Sequence, residues 1–199
     1  MDLEVELDHF LKIKTNGRDD SQSNFINYPY EATPYCVLQA LANSGYITKR
    51  DTIIDFGCGK GRVDFFLAYA TKAKMIGVEF DERLYNSAIA NKEKAISANR
   101  TTFIKSCAST YYIPDTVTGA YFFNPFNTDI LFEVIKNLKA SIKRNQRKIK
   151  MFFYYPSSKY IELLDNDEHI THIENIDCVD MFKEYNEREY IAIYELSYD

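Results

Sequence analysis

The sequence predicts an α/β domain: a doubly wound, mostly parallel sheet that ends in an antiparallel C-terminal hairpin strand. Three observations predict it. From Asp51 onward, short buried-strand runs alternate with helical runs, the rhythm of a parallel sheet covered by helices. The last stretch of about fifty residues changes to two strands separated by about nine polar residues, which reads as a hairpin. The chain has 199 residues, 46% hydrophobic and 27% charged, so one domain can bury its core without a disulfide or metal staple.

Each element has a local reason. Leu3 to Ile13 reads as a short helix in a polar arm, followed by a loop-like run from Thr15 to Ser21. Two prolines make Tyr28 to Tyr35 extended or turn-like. A helix follows from Pro34 to Asn43, with proline in its first turn and Gly45 past its end. Thr52 to Phe56 is a strand, Gly57 to Gly61 a glycine loop and Val63 to Ala73 a helix. Lys74 to Glu79 is the second strand. Asp81 to Asn99 is a helix on which Leu84, Ala88, Ala95 and Ile96 share a face. Thr101 to Lys105 and Gly119 to Phe123 are further strands. Ile130 to Ile142 has helical spacing at Leu131, Val134, Ile135 and Leu138. Lys148 to Tyr155 is the fifth strand and Tyr160 to Leu164 a short helix. His172 to Val179 and Glu189 to Leu196 form the hairpin. Residues 1–35 form an N-terminal arm and 36–199 one domain, with no linker that would mark a second.

Composition excludes several classes. Seven Gly and five Pro rule out a collagenous or Pro/Gly-rich disordered chain. No apolar run approaches the ~20 residues that span a bilayer, and MDLEVELDHF has neither the basic n-region nor the apolar core of a leader. Cys36, Cys58, Cys107 and Cys178 form no CxxC pair, which fits reduced thiols and a cytoplasmic protein, not zinc. His169 and His172 find no third ligand type at metal spacing, so no metal is expected. Twenty-four basic against 29 acidic residues give a net charge of −5, which offers a nucleic-acid partner no support, though a local basic patch is compatible with it. Sixteen Tyr and 14 Phe serve as core and surface filler or as a rim for a planar substrate.

The strongest chemical signal is Ile53-Ile54-Asp55-Phe56-Gly57-Cys58-Gly59-Lys60-Gly61-Arg62, lying between a strand and a helix. Glycines at 57, 59 and 61 let the backbone turn tightly and approach a ligand with no Cβ in the way. Glu79 ends the next strand, 18 residues after Gly61, where a carboxylate can accept two hydrogen bonds from a ribose diol. Dinucleotide enzymes use G-x-G-x-x-G at such a turn. This chain has G-x-G-x-G with an acid two residues ahead.

Asp55-x-Gly57-x-Gly59-x-Gly61 with Glu79 resembles the first two motifs of the class I S-adenosylmethionine-dependent methyltransferases. By motif the resemblance covers about residues 50–155, and the terminal hairpin extends it by strand order. It implies a seven-stranded Rossmann-like methyltransferase fold with the last strand antiparallel, and S-adenosyl-L-methionine as cofactor. It further implies that Asp55 orients the loop near the cofactor's amino-acid end, and that Gly57, Cys58 and Gly59 present backbone to its methionine part. Glu79 holds the ribose hydroxyls, and Phe80 stacks beside adenine. Ser106-Cys107-Ala108 occupies the place where the family usually offers an acid to adenine. A thiol is a poor acceptor, so recognition there falls to the backbone of Cys107 and Ala108.

The fourth strand ends in Asn124-Pro125-Phe126, which partly resembles the [D/N]-P-P-[Y/F/W] motif of enzymes that methylate amino groups. An Asn oxygen and a proline-fixed carbonyl can accept two N–H bonds while an aromatic ring stacks on the acceptor plane. The same tripeptide also reads as a strand-end turn with Phe126 in the core. Tyr28, Tyr30 and Thr33 are candidates for a lid over the cofactor mouth, or for a surface strap packed by its rings. Tyr155 ends the fifth strand on the functional edge and borders the substrate pocket or simply terminates the strand. The basic run Lys136, Lys139, Lys143, Arg144, Arg147, Lys148 and Lys150 falls on the opposite edge from a ligand crevice and is read as a solvated face. The expected activity is methyl transfer to nitrogen. The alternatives are an NAD(P)-dependent Rossmann-type oxidoreductase and a non-catalytic cofactor-binding module. Nothing in the sequence separates nucleic-acid, protein and small-molecule acceptors.

Overall fold

The computed structural model describes residues 3–17 and 31–198. In chain order its elements are α1 (Leu3–Leu11), α2 (Tyr35–Asn43), β1 (Thr52–Phe56), α3 (Arg62–Thr71), β2 (Lys74–Glu79), α4 (Glu82–Lys92), β3 (Thr101–Lys105), β4 (Gly119–Phe122), α5 (Thr128–Arg144), β5 (Ile149–Tyr154), α6 (Ser158–Asp165), β6 (Ile170–Asp177) and β7 (Tyr190–Leu196). The seven strands form one sheet in the order β3-β2-β1-β4-β5-β7-β6. Neighbours from β3 to β5 are parallel, and β7 runs antiparallel to both β5 and β6. This is the predicted doubly wound sheet with its antiparallel terminal strand.

The central strands are buried on both faces, so their sequences are mostly apolar, with Asp55 as the buried acid of β1. Ile53, Tyr121, Phe152 and Ile193 face a layer that includes Leu38 of α2 and Phe65 of α3. Ile54, Phe122, Phe153 and Ala192 face Leu131, Val134 and Leu138 of α5 and Leu164 of α6. Period-two alternation in the strands thus divides the core into two halves. Phe122 stacks on Phe153 with ring centroids 4.5 Å apart and on Phe56 at 5.3 Å, a tier of rings across β1, β4 and β5. Asn127 caps α5 by accepting from the Ile130 N–H at 3.1 Å.

The helix expected over Asp81 to Asn99 stops at Lys92. Asn91 ends it: its side chain donates to the carbonyls of Lys14 and Lys60 and accepts from the Lys14 N–H. The chain then turns on the Asn91 carbonyl, and Ala95 and Ile96 lie outside the helix.

Arg62, 3% exposed, ties α1 to the start of α3. Its guanidinium pairs with Glu4, donates to Thr15 Oγ1 at 2.7 Å and to the Thr33 carbonyl at 3.3 Å, and lies 4.5 Å over the Tyr35 ring. Asp8 completes the cluster, accepting from Thr15 and from the Tyr35 hydroxyl.

The basic run is largely neutralised rather than simply solvated. Lys136 pairs with Glu133, Lys139 with Asp167, Arg144 with Asp115 and Lys148 with Glu195. Arg147 donates to the carbonyls of Val117 and Pro114. The run closes α5 and opens β5, at the edge opposite the strands' carboxyl ends.

Candidate cofactor and acceptor site

In the strand order, the chain winds outward in opposite directions from β1 and β4, which makes the crevice between their carboxyl ends the place where open α/β sheets bind ligands. The glycine loop leaves β1 there, and Asn124-Pro125-Phe126 leaves β4. The two touch. Gly57 has φ +76°, and a Cβ on it would lie 2.5 Å from Pro125 Cβ. Gly61 caps α3 in the left-handed region at φ +86°, and a Cβ there would lie 2.7 Å from the Phe103 ring. Bare backbone is therefore required at both ends of the loop. The Gly57 and Cys58 N–H groups donate to the Val78 carbonyl, which fixes the loop against β2.

Glu79 ends β2 and is 4% exposed. Its Oε2 accepts from the Gly59 N–H at 2.9 Å and its Oε1 from the Asp81 N–H at 2.8 Å. Each oxygen keeps a further lone pair for a hydroxyl donor. Burial raises the Glu79 pKa, opposed by these amides. The Ser106 N–H donates to the Glu79 carbonyl, so the turn carrying Cys107 and Ala108 stands next to Glu79. The Cys107 thiol is exposed and 3.1 Å from Ser109 Oγ. Phe80 leaves its ring 44% exposed at the same rim.

On the β4 side, Asn124 (φ +40°) donates its Nδ2–H to the Tyr155 carbonyl. Its Oδ1 is buried and, among the described residues, has no hydrogen-bond partner. Tyr155 has φ +53°. Two non-glycine residues in left-handed conformations thus stand side by side at the ends of neighbouring strands, strain that surrounding structure has to hold. The Tyr155 hydroxyl accepts from Asn186 Nδ2 at 2.8 Å, and the Arg188 guanidinium lies 4.1 Å over its ring. An open pocket of about 640 Å³ formed by residues 182–187 and 189 adjoins this point.

Some of the expected site residues sit elsewhere than the resemblance suggests. Phe126 is 4% exposed and packs edge-on to Phe122, with its carbonyl accepting from the Tyr160 hydroxyl. Its ring is core and offers no face to an acceptor, so the turn reading holds for that residue. Thr33 is buried, its hydroxyl 3.0 Å from the Tyr121 hydroxyl. Tyr28 and Tyr30 lie outside the described residues.

The sequence reading also missed Asp64. It is wholly buried in the first turn of α3, against Asp55. The signal was available: a lone acid flanked by Val63 and Phe65 and followed by an apolar run.

No family model matches the chain. A protein-lysine N-methyltransferase from Saccharolobus islandicus (strain REY15A) is 31% identical over 78 residues, 39% of this chain and 48% of that protein. The match thus spans about half the length of this curated relative. Among solved structures, an RNA methyltransferase from Salinibacter ruber, in complex with S-adenosyl-L-homocysteine, superposes with a TM-score of 0.57 and 16% identity, over 85% of this chain and 95% of that one. The mitomycin 7-O-methyltransferase MmcR superposes with a TM-score of 0.60 and 10% identity, over 81% of this chain and 53% of that one. No helix among the described residues is long and apolar enough to cross a membrane. Strand order, motif placement and these likenesses agree: the chain has the fold of the class I S-adenosylmethionine-dependent methyltransferases.

Proposed function

We propose that the protein is an S-adenosylmethionine-dependent methyltransferase that acts on a nitrogen acceptor. The observation that carries the nitrogen assignment is the Asn124 amide. Its nitrogen is held by the Tyr155 carbonyl, which leaves a buried oxygen facing no described donor, in contact distance of the glycine turn through Pro125. A buried acceptor left open in this way suits a substrate N–H.

The chain's residues fit the cofactor. A Cβ at Gly57 or Gly61 would collide with Pro125 or Phe103, so the loop presents bare backbone, Glu79 keeps lone pairs for a diol, and the exposed Phe80 ring stands beside it. When bound, the cofactor supplies an activated methyl group on a sulfonium. Glu79 holds the sugar, the Gly57–Gly61 backbone admits the amino-acid end, and Phe80 with the Cys107 and Ala108 backbone borders the base. Asn124 and Pro125 orient the acceptor nitrogen, and desolvation at the crevice favours transfer. No general base is needed for a neutral amine. All three relatives are methyltransferases, so a dinucleotide oxidoreductase is not favoured.

The test pairs binding with turnover. Calorimetry with S-adenosylmethionine and with NADH should show binding of the former alone. Methyl-tritiated cofactor, offered with separate RNA, protein and metabolite pools, should place base-stable label in one of them. Asn124→Ala should lower labelling at least about a hundredfold through misplacement of the acceptor and leave cofactor affinity near wild type. Binding of NADH alone, base-labile label, or full activity in the variant would each overturn the corresponding part.

A further inference from the structure

Two carboxyl groups meet beneath the glycine loop. Asp55 comes from β1 and Asp64 from α3, and they lie within hydrogen-bonding reach of each other. Asp55 is 3% exposed and Asp64 0%. Asp55 Oδ2 and both Asp64 oxygens are buried and, among the described residues, accept from no other residue. Among the described residues, the groups facing the pair bring no compensating cation. Glu79 approaches from β2, the Cys58 thiol from the loop and the Tyr121 hydroxyl from β4. Arg62, on the same helix as Asp64, has its guanidinium engaged by Glu4, Thr15 and the Thr33 carbonyl. Two ionised carboxylates cannot share such a place, so at least one proton is held between them. Burial and the Asp55 charge push Asp64 well above the usual carboxylate range, and burial lifts Asp55 to about 7.

This inference rests on the cofactor reading above. We propose that Asp64 is a positioning residue of the cofactor site, a neutral carboxylic acid that donates a hydrogen bond to Asp55 and so holds the Asp55 carboxylate ready for the cofactor's ammonium group. In the free protein near neutral pH, Asp55 carries a proton part of the time. Cofactor binding releases that proton to the buffer, Asp55 becomes the anion that faces the ammonium, and Asp64 keeps its own proton. Affinity should therefore fall as pH drops through the neutral range, by about tenfold per pH unit once Asp55 is protonated.

The test is calorimetric titration of the whole protein with S-adenosylmethionine and S-adenosylhomocysteine, in buffers of different ionisation enthalpy. Wild type should release a proton fraction that rises towards one at about pH 6, with the stated loss of affinity. Asp64→Asn keeps a donor to Asp55 and should bind within about threefold of wild type at about pH 8. Asp64→Leu removes the donor and should bind at least about tenfold more weakly while retaining its circular dichroism. Binding without proton release, affinity flat with pH, or a leucine variant that binds like wild type would each overturn the proposal and leave the cofactor reading intact. No binding by wild type at any pH would remove both.

Discussion

Replacing Gly57 by alanine tests the contact that joins the two halves of the site. The new Cβ would stand 2.5 Å from Pro125 Cβ, 3.6 Å from its Cγ and 3.7 Å from its Cα. Ordinary carbon contacts lie at about 3.5–4.0 Å, so the closest overlap is about 1 Å. Pro125 cannot rotate its ring away, because the ring is part of its backbone. A left-handed alanine adds about 1–2 kcal/mol of its own, and forcing an extra methyl into a filled space adds about 1–3 kcal/mol. Reduced freedom of the unfolded chain returns less than about 1 kcal/mol. The net loss is about 1–5 kcal/mol, or a fall in Tm of roughly 2–20 °C for a chain of this size. Gly45→Ala is the internal control. Gly45 has φ +81° with nothing within 4 Å of a new Cβ, so it carries the backbone strain without the collision. Urea unfolding of both variants isolates the steric part, expected at about 1–3 kcal/mol. If Gly57→Ala costs no more than Gly45→Ala, the glycine loop does not press on the β4 turn and the site as described is wrong.

Three further outcomes follow from the same coordinates. Arg62→Met removes the buried guanidinium that pairs with Glu4 and lies 3.6 Å from Asp8, and should destabilise the fold by about 3–5 kcal/mol, with early hydrogen exchange in α1 as the local marker. Asp55 and Asp64 have folded pKa values raised above the unfolded carboxylate range, so the stability they contribute is present in acid and lost as pH rises, for Asp55 through about 7; Asp64→Leu should flatten that loss, read as a smaller drop in Tm between about pH 5 and pH 8. An Ellman titration should modify the exposed Cys107 first and reach the buried Cys58 and Cys178 only on unfolding, since burial also pushes the Cys178 thiol up to about 12.

Most strand positions were legible because the central strands are short, mostly apolar runs bounded by turn residues, and the structure moves the strand ends by only a residue or two. The glycine loop and Glu79 were legible because backbone freedom and a terminal acid leave a direct trace in residue type. What escaped depends on partners distant in the chain. Asn91 stops α4 by reaching Lys14 and Lys60. Lys139 and Lys148 find Asp167 and Glu195, so a run of cations in the sequence is paired in space. Phe126 has the right neighbours for a stacking platform, yet the ring tier under β4 draws it inward. Asp64 drew no reading from the sequence, and only packing shows that it meets another carboxyl.

Strand β7 is the last of the seven in chain order but not the last in the sheet, where it lies between β5 and β6. Strand β6 hydrogen-bonds to β7 alone, and β5 has β4 on one side and β7 on the other. Until Tyr190–Leu196 inserts, β5 is an open edge and β6 has no partner strand, instead of both belonging to one continuous sheet. An intermediate lacking that insertion would offer sticky edges to its neighbours, so refolding yield should fall with protein concentration. A disturbance confined to the buried Ile191, Ile193 or Leu196 should therefore lower refolding yield as well as stability.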